Sequence, residues 1–397
     1  MRQVQVYNSG RMGVSAFQGV TLGVEKAVVL IQRQPKGQNK NKLGEQVTRR
    51  QFILTLCGTC ATTVAMTSCG RQREVTDAAA KSEPEGKASR SAIGGSIGQE
   101  KRQRIVVVRN KRYVANGKIT VEDARRMLQR GITELTGDET AKAAWLRIFE
   151  PEDIVGIKVN CLAGPKMSSH VEVANAIAFE LMGVGVKGKH IIIWDRLNRE
   201  LESAGYRVTL SSEPICIGTD TDGVGYEDEI YEVGNVGSQL SRIVTRVCNA
   251  LINVPVVKDH GVVGYTGALK NWLGAVHNPN KYHDDGGDPH IAELNALHEI
   301  RSRQRLIICD ALDVQYHGGP GFKPQFVVRH GALIISTDPV AVDVYCWKLV
   351  ERYRKAKGLQ SLESEGRKPK YILTAANEPL KLGIADEAKL QVIEIEV

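Results

Sequence analysis

Residues 254–290 read VPVVKDHGVVGYTGALKNWLGAVHNPNKYHDDGGDPH. This one stretch contains a strand pattern, a helix pattern and a concentration of polar side chains. Four His, three Lys and four Asp fall within these 37 residues, between glycines and short apolar runs. If the apolar run up to Lys258 is a strand, Lys258 and His260 point to the same side, because side chains alternate along a strand. This mixture of titratable groups and flexible glycines indicates a site more than a hydrophobic core.

A helix is predicted over residues 267–276, with Thr266 as its N-cap. Lys270 then lies near the amino-terminal end of that helix, where a cation opposes the helix dipole and a bound anion would be favoured. The other interpretation of Lys270 is a surface lysine that points to solvent. The neighbouring Lys258 and His260 favour the anion site, and the ordinary pKa of His260 suits a general acid or base near neutrality.

The Gly-rich loop that follows carries His283, Asp284 and His290, a set of side chains that suits a divalent metal ion. Their spacing matches no zinc motif, so a second interpretation stays open, a solvated polar loop in which Asp288 caps the next helix. The sequence has no C-x-x-C-x-x-C run, and an iron–sulfur cluster is therefore not expected.

Apolar strands alternate with helical patterns from about residue 104 onward. Strands are predicted over 105–108, 153–159, 189–194, 251–257, 305–309 and 332–336, and further helices over 120–135, 139–149, 171–182, 196–204, 291–298 and 339–357. This alternation predicts an α/β fold with a mostly parallel sheet and helices on both faces.

Polar residues follow most of these strands, and in parallel sheets ligands bind beyond the carboxyl ends of the strands. The residues predicted to share that edge are Asn160, Cys161, Asp195, Lys258, His260, Asp310 and Asp338. Asp195 and Asp338 can also be simple helix caps, and Asp338-Pro339 is a favoured helix start.

The amino-terminal part shows an export pattern. Arg49 and Arg50 precede an apolar stretch, so residues 48–69 are predicted to be a twin-arginine signal read by the twin-arginine export machinery. Residues 1–47 form a long upstream extension, which a start codon assigned too far upstream would explain. The protein is therefore expected in the periplasm or anchored on the outer side of the cytoplasmic membrane.

The end of that signal resembles a lipobox, in which Cys69 would carry a lipid anchor; cleavage without a lipid is the alternative. Residues 70–103 are rich in Gly, Ser, Ala, Lys and Glu and are predicted to be a disordered tether. The folded domain is predicted over residues 104–397.

The composition fits a folded globular protein, with 397 residues, 42% hydrophobic and 25% charged. The formal net charge is +8, but residues 1–68 contribute nine basic and two acidic side chains, so the rest of the chain carries only +1. A nearly neutral folded domain argues against nucleic-acid binding.

Several motifs, in order, resemble the DUF362 family, a domain of unknown function, and more closely its branch with a twin-arginine signal. They are INVPVVKDH (252–260), YTGALKNWLG (265–274), ICDA (308–311), GGP (318–320) and STDPVAVD (336–343). The likeness runs from about residue 153 to 357. It implies a shared polar set of Lys258, His260, Lys270, Asn271, Asp310, Asp338 and Asp343. Some relatives carry a ferredoxin-type cluster domain, whose cysteine run is missing from this sequence.

Three functions remain open. The first is an exported enzyme that acts on a small anionic substrate, with or without a metal. Its expected catalytic residues are Lys258, His260, Lys270 and Asp310, and its expected substrate contacts are Asn160, Asn271, Asp338 and Asp343. The second is a cofactor- or metal-binding protein without catalysis, and the third is an envelope scaffold that docks a partner protein.

Overall fold

The computed structural model describes residues 102–397. Its strands are β1 (Gln103–Arg109), β2 (Val155–Lys158), β3 (Ile191–Asp195), β4 (Ile215–Gly218), β5 (Tyr231–Val233), β6 (Val236–Ser238), β7 (Ala250–Asn253), β8 (Val256–His260), β9 (Gly264–Thr266), β10 (Gln304–Gln315), β11 (Val327–Ser336) and β12 (Leu390–Glu396). Its α-helices are α1 (Lys111–Asn116), α2 (Val121–Thr136), α3 (Ala141–Ile148), α4 (Val171–Gly183), α5 (Asn198–Ser203), α6 (Ala268–Asn271), α7 (His290–Ala296), α8 (His298–Arg301), α9 (Pro339–Ala356) and α10 (Lys370–Ala376).

One large sheet has the strand order β12-β1-β11-β10-β7-β2-β3-β4, while β8 pairs with the second half of β10 and β9 pairs with β8. Among the described strands of this sheet, only β11 and β9 run against the others. The prediction of an α/β fold with a mostly parallel sheet is confirmed. Strands β5 and β6 form a separate hairpin.

Helices cover both faces of the sheet, as predicted, because alternate residues of the strands are apolar on both sides. In β3, Ile191 and Ile193 pack against the layer of α2, α3 and α4, whereas Ile192 and Trp194 pack against the layer that contains α6 and α9. Burial of each such side chain contributes roughly 1.5–3 kcal/mol. The two layers leave the carboxyl ends of β2, β3 and β8 as an edge where loops can form a site.

The strand predicted over 251–257 is in fact two strands, β7 and β8. Pro255 separates them, since it has no N–H to donate to a ladder, and its carbonyl accepts from Asp310 N at 2.8 Å. The break lets β10 pair first with β7 and then with β8. It also moves Lys258 and His260 outward, beyond the end of β7.

The helix predicted over 267–276 is shorter than expected. A single α-helical turn, α6, is followed by a 3₁₀ turn over Trp272–Ala275. Thr266 is not its cap, because the free N–H groups of Ala268 and Leu269 donate to the Asp343 carboxylate of α9, at 2.6 and 2.9 Å. An acceptor that lies some seventy residues away in sequence therefore fixes where this helix begins.

The residues that carry the export predictions, Arg49, Arg50 and Cys69, lie outside the described residues. Within residues 102–397, none of the helices combines the length and apolar composition needed to cross a bilayer.

Candidate functional site

A cleft of about 410 Å³ opens at the carboxyl ends of β2, β3 and β8. Residues of the central stretch 254–290 form one wall, and the ends of β2 and β3 form the other. The lining side chains are Lys158, Asn160, Leu162, Asp195, Arg196, Glu200, Lys258, His260, Thr266, Lys270, Asn271, Leu273, Pro279, Asn280, His283 and Pro320. Its position agrees with the general preference of ligands for this edge of a parallel sheet.

An ion pair between Lys158 and Asp195 lies in the cleft wall. Lys158 Nζ donates to Asp195 Oδ1 at 2.7 Å and to the Val159 carbonyl at 2.6 Å, and the other oxygen of Asp195 accepts from Cys161 N at 2.7 Å. Gly274 is required beside this pair, because a Cβ there would lie 2.6 Å from Lys158 Cε. The two opposite charges of this ion pair neutralise each other, so neither is available to bind a charged ligand.

A chain of amides connects this pair to Lys258. Asn271 Oδ1 accepts from Lys158 Nζ at 3.3 Å and from Asn160 Nδ2 at 3.0 Å. Asn160 Oδ1 in turn accepts from Lys258 Nζ at 3.0 Å. Asn271 itself is held by the Asn253 side chain, whose Oδ1 accepts from Asn271 Nδ2 at 2.8 Å. The amide orientations are therefore fixed by the protein before any ligand binds.

Lys258 and Lys270 are the two cations of the cleft that lack an acidic partner. Lys258 is 1% exposed and Lys270 is 8% exposed. Among residues 102–397, neither forms an ion pair, and Lys270 donates no hydrogen bond. Burial lowers the pKa of Lys258 to about 8. Burial, and then the charge of Lys258, lowers the pKa of Lys270 to about 7.

Two stacked imidazoles, His260 and His283, complete this part of the cleft, with ring centroids 5.1 Å apart. His260 Nδ1 accepts from the backbone N–H groups of Val262 and Val263 at 3.2 and 3.4 Å, so its proton lies on Nε2. His283 Nδ1 lies 3.2 Å from the carbonyl of Pro279 and must donate to it, so its Nε2 has a free lone pair. One ring therefore offers a donor and the other an acceptor.

Burial and the nearby Lys270 hold the pKa of His260 well below its usual range. The same two causes lower the pKa of His283. His260 is thus a neutral hydrogen-bond donor around neutrality, and the sequence argument for a general acid or base, which used its ordinary pKa, does not hold in this environment.

Asp310 is not in the cleft, which corrects its predicted place. It lies in the middle of β10 and points to the layer of α2, α3 and α4, on the same side as Leu306 and Ile308. Its carboxylate accepts from the backbone N and from Nδ1 of His170, at 2.7 and 2.8 Å. Lys158 points to the opposite layer and lies over the Trp194 ring at 5.5 Å. The two groups are therefore on opposite faces of the sheet.

Asp338 and Asp343 are also outside the cleft. Because β11 runs antiparallel to β10, its carboxyl end lies at the other edge of the sheet, and Asp338 there caps α9 through Ala341 N at 2.8 Å. Asp343 caps α6, as described above, and burial raises its pKa to about 7. Of the four predicted substrate contacts, only Asn160 and Asn271 line the cleft.

The prediction of a metal site on His283, Asp284 and His290 is wrong. Among residues 102–397, no group of three His, Cys, Asp or Glu side chains could hold a metal ion. His283 lines the cleft, whereas Asp284 is exposed and His290 lies 3.7 Å from Glu293. Between Asp284 and His290 the chain turns through positive φ at Asp285, Gly286 and Gly287.

Sequence reasoning missed Lys158, Arg196, Glu200 and Thr266 as lining residues. Lys158 had a signal, since a charged residue inside an apolar strand needs a partner. Arg196 and Glu200 form a pair at 3.7 Å, and their spacing of four residues within a predicted helix was a sequence signal for it. The Thr266 hydroxyl is buried and has no hydrogen-bond partner within residues 102–397.

Comparison with known proteins identifies a family to which no activity is assigned. Residues 155–348 match the family model DUF362, described as a domain of unknown function. A crystal structure of a protein from Thermotoga maritima, from the Northeast Structural Genomics Consortium, is similar over 61% of this chain and 60% of that chain, with 10% sequence identity and a TM-score of 0.37. The similarity thus spans less than two thirds of that protein's length. No curated protein matches the chain.

Proposed function

Since this chain belongs to the DUF362 family through residues 155–348, a family without an assigned activity, we propose from its cleft that it is an enzyme acting on a small organic anion. The observation that carries the proposal is the pair of buried lysines, Lys258 and Lys270, which have no acidic partner among the described residues. Burying an unpaired cation costs stability. A bound carboxylate or phosphate would provide the missing charge.

The remaining lining supports a polar, anionic ligand of modest size. The volume of about 410 Å³ lies within the range of small-molecule sites. The unpartnered Thr266 hydroxyl and the Nε2–H of His260 are hydrogen-bond donors for an oxyanion. The two carboxylates that line the cleft are each paired with a cation, Asp195 with Lys158 at 2.7 Å and Glu200 with Arg196 at 3.7 Å, which reduces their repulsion of an anionic ligand.

Catalysis, in addition to binding, is supported by the pKa of Lys270. A lysine with a pKa of about 7 is present in both the neutral and the charged form near neutrality. It can then take up and release a proton during a reaction, which an ordinary lysine cannot do. Perturbed titratable groups in a cleft are typical of active sites.

The proposal also includes export through the twin-arginine pathway and a lipid at Cys69, both from the sequence pattern of residues 48–69. Changing Arg49 and Arg50 to Lys should leave the protein in the cytoplasm. Cys69→Ala should release the exported protein from the membrane fraction. Normal periplasmic levels of the double Arg variant would contradict export, and an unchanged membrane fraction of Cys69→Ala would contradict the lipid.

Thermal unfolding of the full chain with a panel of sulfate, phosphate, oxalate, malonate, succinate and pyruvate tests the anion site. At least one anion should raise the Tm of the wild type, since a ligand at 100 times its Kd stabilises by about 2.7 kcal/mol. Lys258→Met and Lys270→Met should lose this response. Lys142→Met, which removes an exposed lysine on α3, is the matched control and should keep it.

Two results would contradict the proposal. The first is the absence of stabilisation by every anion, which would favour an envelope scaffold. The second is an equal response of the wild type and both cleft variants, which would place the anion elsewhere. Stabilisation by an anion that the protein never converts would favour the non-catalytic binding protein.

A further inference from the structure

We propose that Lys270 is a nucleophile that forms a Schiff base with a small carbonyl-bearing carboxylate, such as a 2-oxo acid. The inference rests on the proposed anion site and specifies its class of substrate. It is carried by the placement of four side chains in one cleft: Lys270, Lys258, His260 and His283. Each of them supplies a different part of the chemistry.

Lys270 has the features that a nucleophilic lysine needs. Its side chain is almost fully buried, lines the cleft, and within residues 102–397 has no acceptor that would hold it as an ammonium. A structural lysine in the same cleft is different: Lys158 donates to Asp195, to Asn271 and to a backbone carbonyl. Desolvation and a neighbouring cation are the conditions that activate a lysine amine for attack on a carbonyl.

Lys258 provides that neighbouring cation, and its charge lowers the pKa of Lys270. It is anchored by Asn160 Oδ1 at 3.0 Å, which leaves its other N–H groups for a ligand. The substrate carboxylate would pair with Lys258, and its adjacent carbonyl carbon would then lie toward Lys270. Recognition of a charged group beside the carbonyl is the reason for inferring an oxo acid instead of a simple aldehyde.

The two imidazoles offer one hydrogen-bond donor and one hydrogen-bond acceptor to the reacting groups. The Nζ lone pair of Lys270 attacks the carbonyl carbon, and one proton moves from that nitrogen to the carbonyl oxygen to give a carbinolamine. The C–O bond then breaks, water leaves, and the C=N bond of the iminium forms, so that amine, carbonyl and one proton yield iminium and water. The Nε2–H of His260 is placed to donate a hydrogen bond to the developing oxyanion, and the Nε2 lone pair of His283 to accept one from the amine. Because burial and Lys270 lower the pKa of both rings, both stay neutral, and the proton that the reaction consumes comes from solvent.

Reductive trapping tests the inference on the full-length protein. The wild type is incubated with pyruvate and cyanoborohydride, and its peptides are mapped by mass spectrometry. We expect one reduced pyruvate adduct on Lys270, with a rate that rises with pH around 7, where an exposed lysine would require a pH near 10. Lys158, which is paired, and Lys281, which is exposed, serve as internal controls and should stay unmodified.

Two variants distinguish the role of Lys270 as the nucleophile from the role of Lys258 in binding the anion. Lys270→Arg keeps the charge and should abolish the adduct. Lys258→Met should slow trapping of pyruvate more than trapping of the uncharged ketone acetone. Adducts spread equally over exposed lysines, or an unchanged yield in Lys270→Arg, would overturn the inference.

Pyruvate-dependent thermal stabilisation is measured on the same samples, which separates this inference from the anion site. Stabilisation by pyruvate without an adduct on Lys270 would overturn the Schiff base and leave the anion site intact. Equal trapping of pyruvate and acetone on Lys270, with no stabilisation by any anion of the panel, would overturn both the anion site and the substrate class.

Discussion

Two groups of buried or partly buried titratable side chains lie in different parts of the fold, one beneath the layer of α2, α3 and α4 and one in the cleft, and they differ in whether the protein supplies their partners. In the Asp310 cluster (Tyr113, His170, Asp310 and Asp313), Tyr113 donates to Asp313 at 2.9 Å and His170 pairs with Asp310 at 2.8 Å. In the cleft, Lys258 and Lys270 have no acidic partner among residues 102–397. The first arrangement stabilises the fold, whereas the second is what a ligand would complete.

The pKa shifts show the same contrast. Burial alone would lower the pKa of His170, but the charge of Asp310 outweighs it and raises that pKa to about 9. In the cleft nothing outweighs burial, and the pKa values of Lys258 and Lys270 fall to about 8 and 7. A buried group that keeps its charge is paired, and one that tends to lose it lacks a partner.

The largest effect is expected from breaking the paired cluster with Asp310→Ala. The change leaves His170 without its counter-charge and also removes the acceptor for Leu312 N, so the free energy of unfolding should fall by about 3 kcal/mol. Urea denaturation at pH 7 measures it. Anion-dependent stabilisation should remain in the folded fraction; its selective loss, with stability unchanged, would give Asp310 a role in the site after all.

A smaller effect, an increase in the free energy of unfolding, is expected from a substitution in the cleft. Lys270→Met removes a buried amine without a partner and keeps an unbranched side chain, so at pH 6 the free protein should gain up to about 2 kcal/mol. The same urea experiment measures this gain, with Lys142→Met as the exposed control. A loss of similar size would mean that Lys270 holds the fold together.

The smallest effect is a difference in how stability depends on pH. The folded pKa values of Lys258 and Lys270 lie below the ordinary 10.5, so the unfolded chain binds more protons between about pH 7 and 10.5 and stability rises with pH there. The folded pKa of His170 lies above 6.5, so its contribution is complete below pH 6.5 and is lost as pH rises through about 9. Each slope is on the order of 1 kcal/mol per pH unit.

Variants separate these opposing slopes. The Lys258→Met/Lys270→Met double variant should retain only the fall between pH 6.5 and 9, and His170→Asn should retain only the rise toward pH 10.5. Denaturation midpoints across this pH range measure both. Identical pH profiles for the wild type and the lysine double variant would mean that the lysines are charged and paired in solution.

Much of the fold could be predicted from the sequence, because apolar strands and amphipathic helices are local patterns. Strand direction is not determined by local sequence. Because β11 pairs antiparallel with β10, Asp338 lies at the edge of the sheet opposite to the predicted one. The start of α6 also escaped prediction, since it depends on Asp343.

Part of the site could also be predicted, because some of its residues lie in or next to elements that local patterns predict. Lys258 and His260 lie in the last three residues of β8, Lys270 and Asn271 in the short helix α6, and Asn160 just after β2. All five line the cleft. Asp310 resembled them in sequence, yet β10 continues through it to Gln315 and places it in mid-strand. Whether a polar residue ends a strand or lies inside a longer one is decided by its neighbours in the sheet.

The central claim, that an anion completes the charge of Lys258 and Lys270, is tested most directly by proton uptake on binding. The anion of the panel that stabilises most, among those fully ionised at pH 8, is titrated calorimetrically in two buffers of different ionisation enthalpy. At pH 8 Lys270 is mostly neutral and Lys258 about half charged, and a bound anion favours their charged forms. We predict net proton uptake by the wild type and none by the Lys258→Met/Lys270→Met double variant. Binding without proton uptake, or equal uptake by both proteins, would contradict the account.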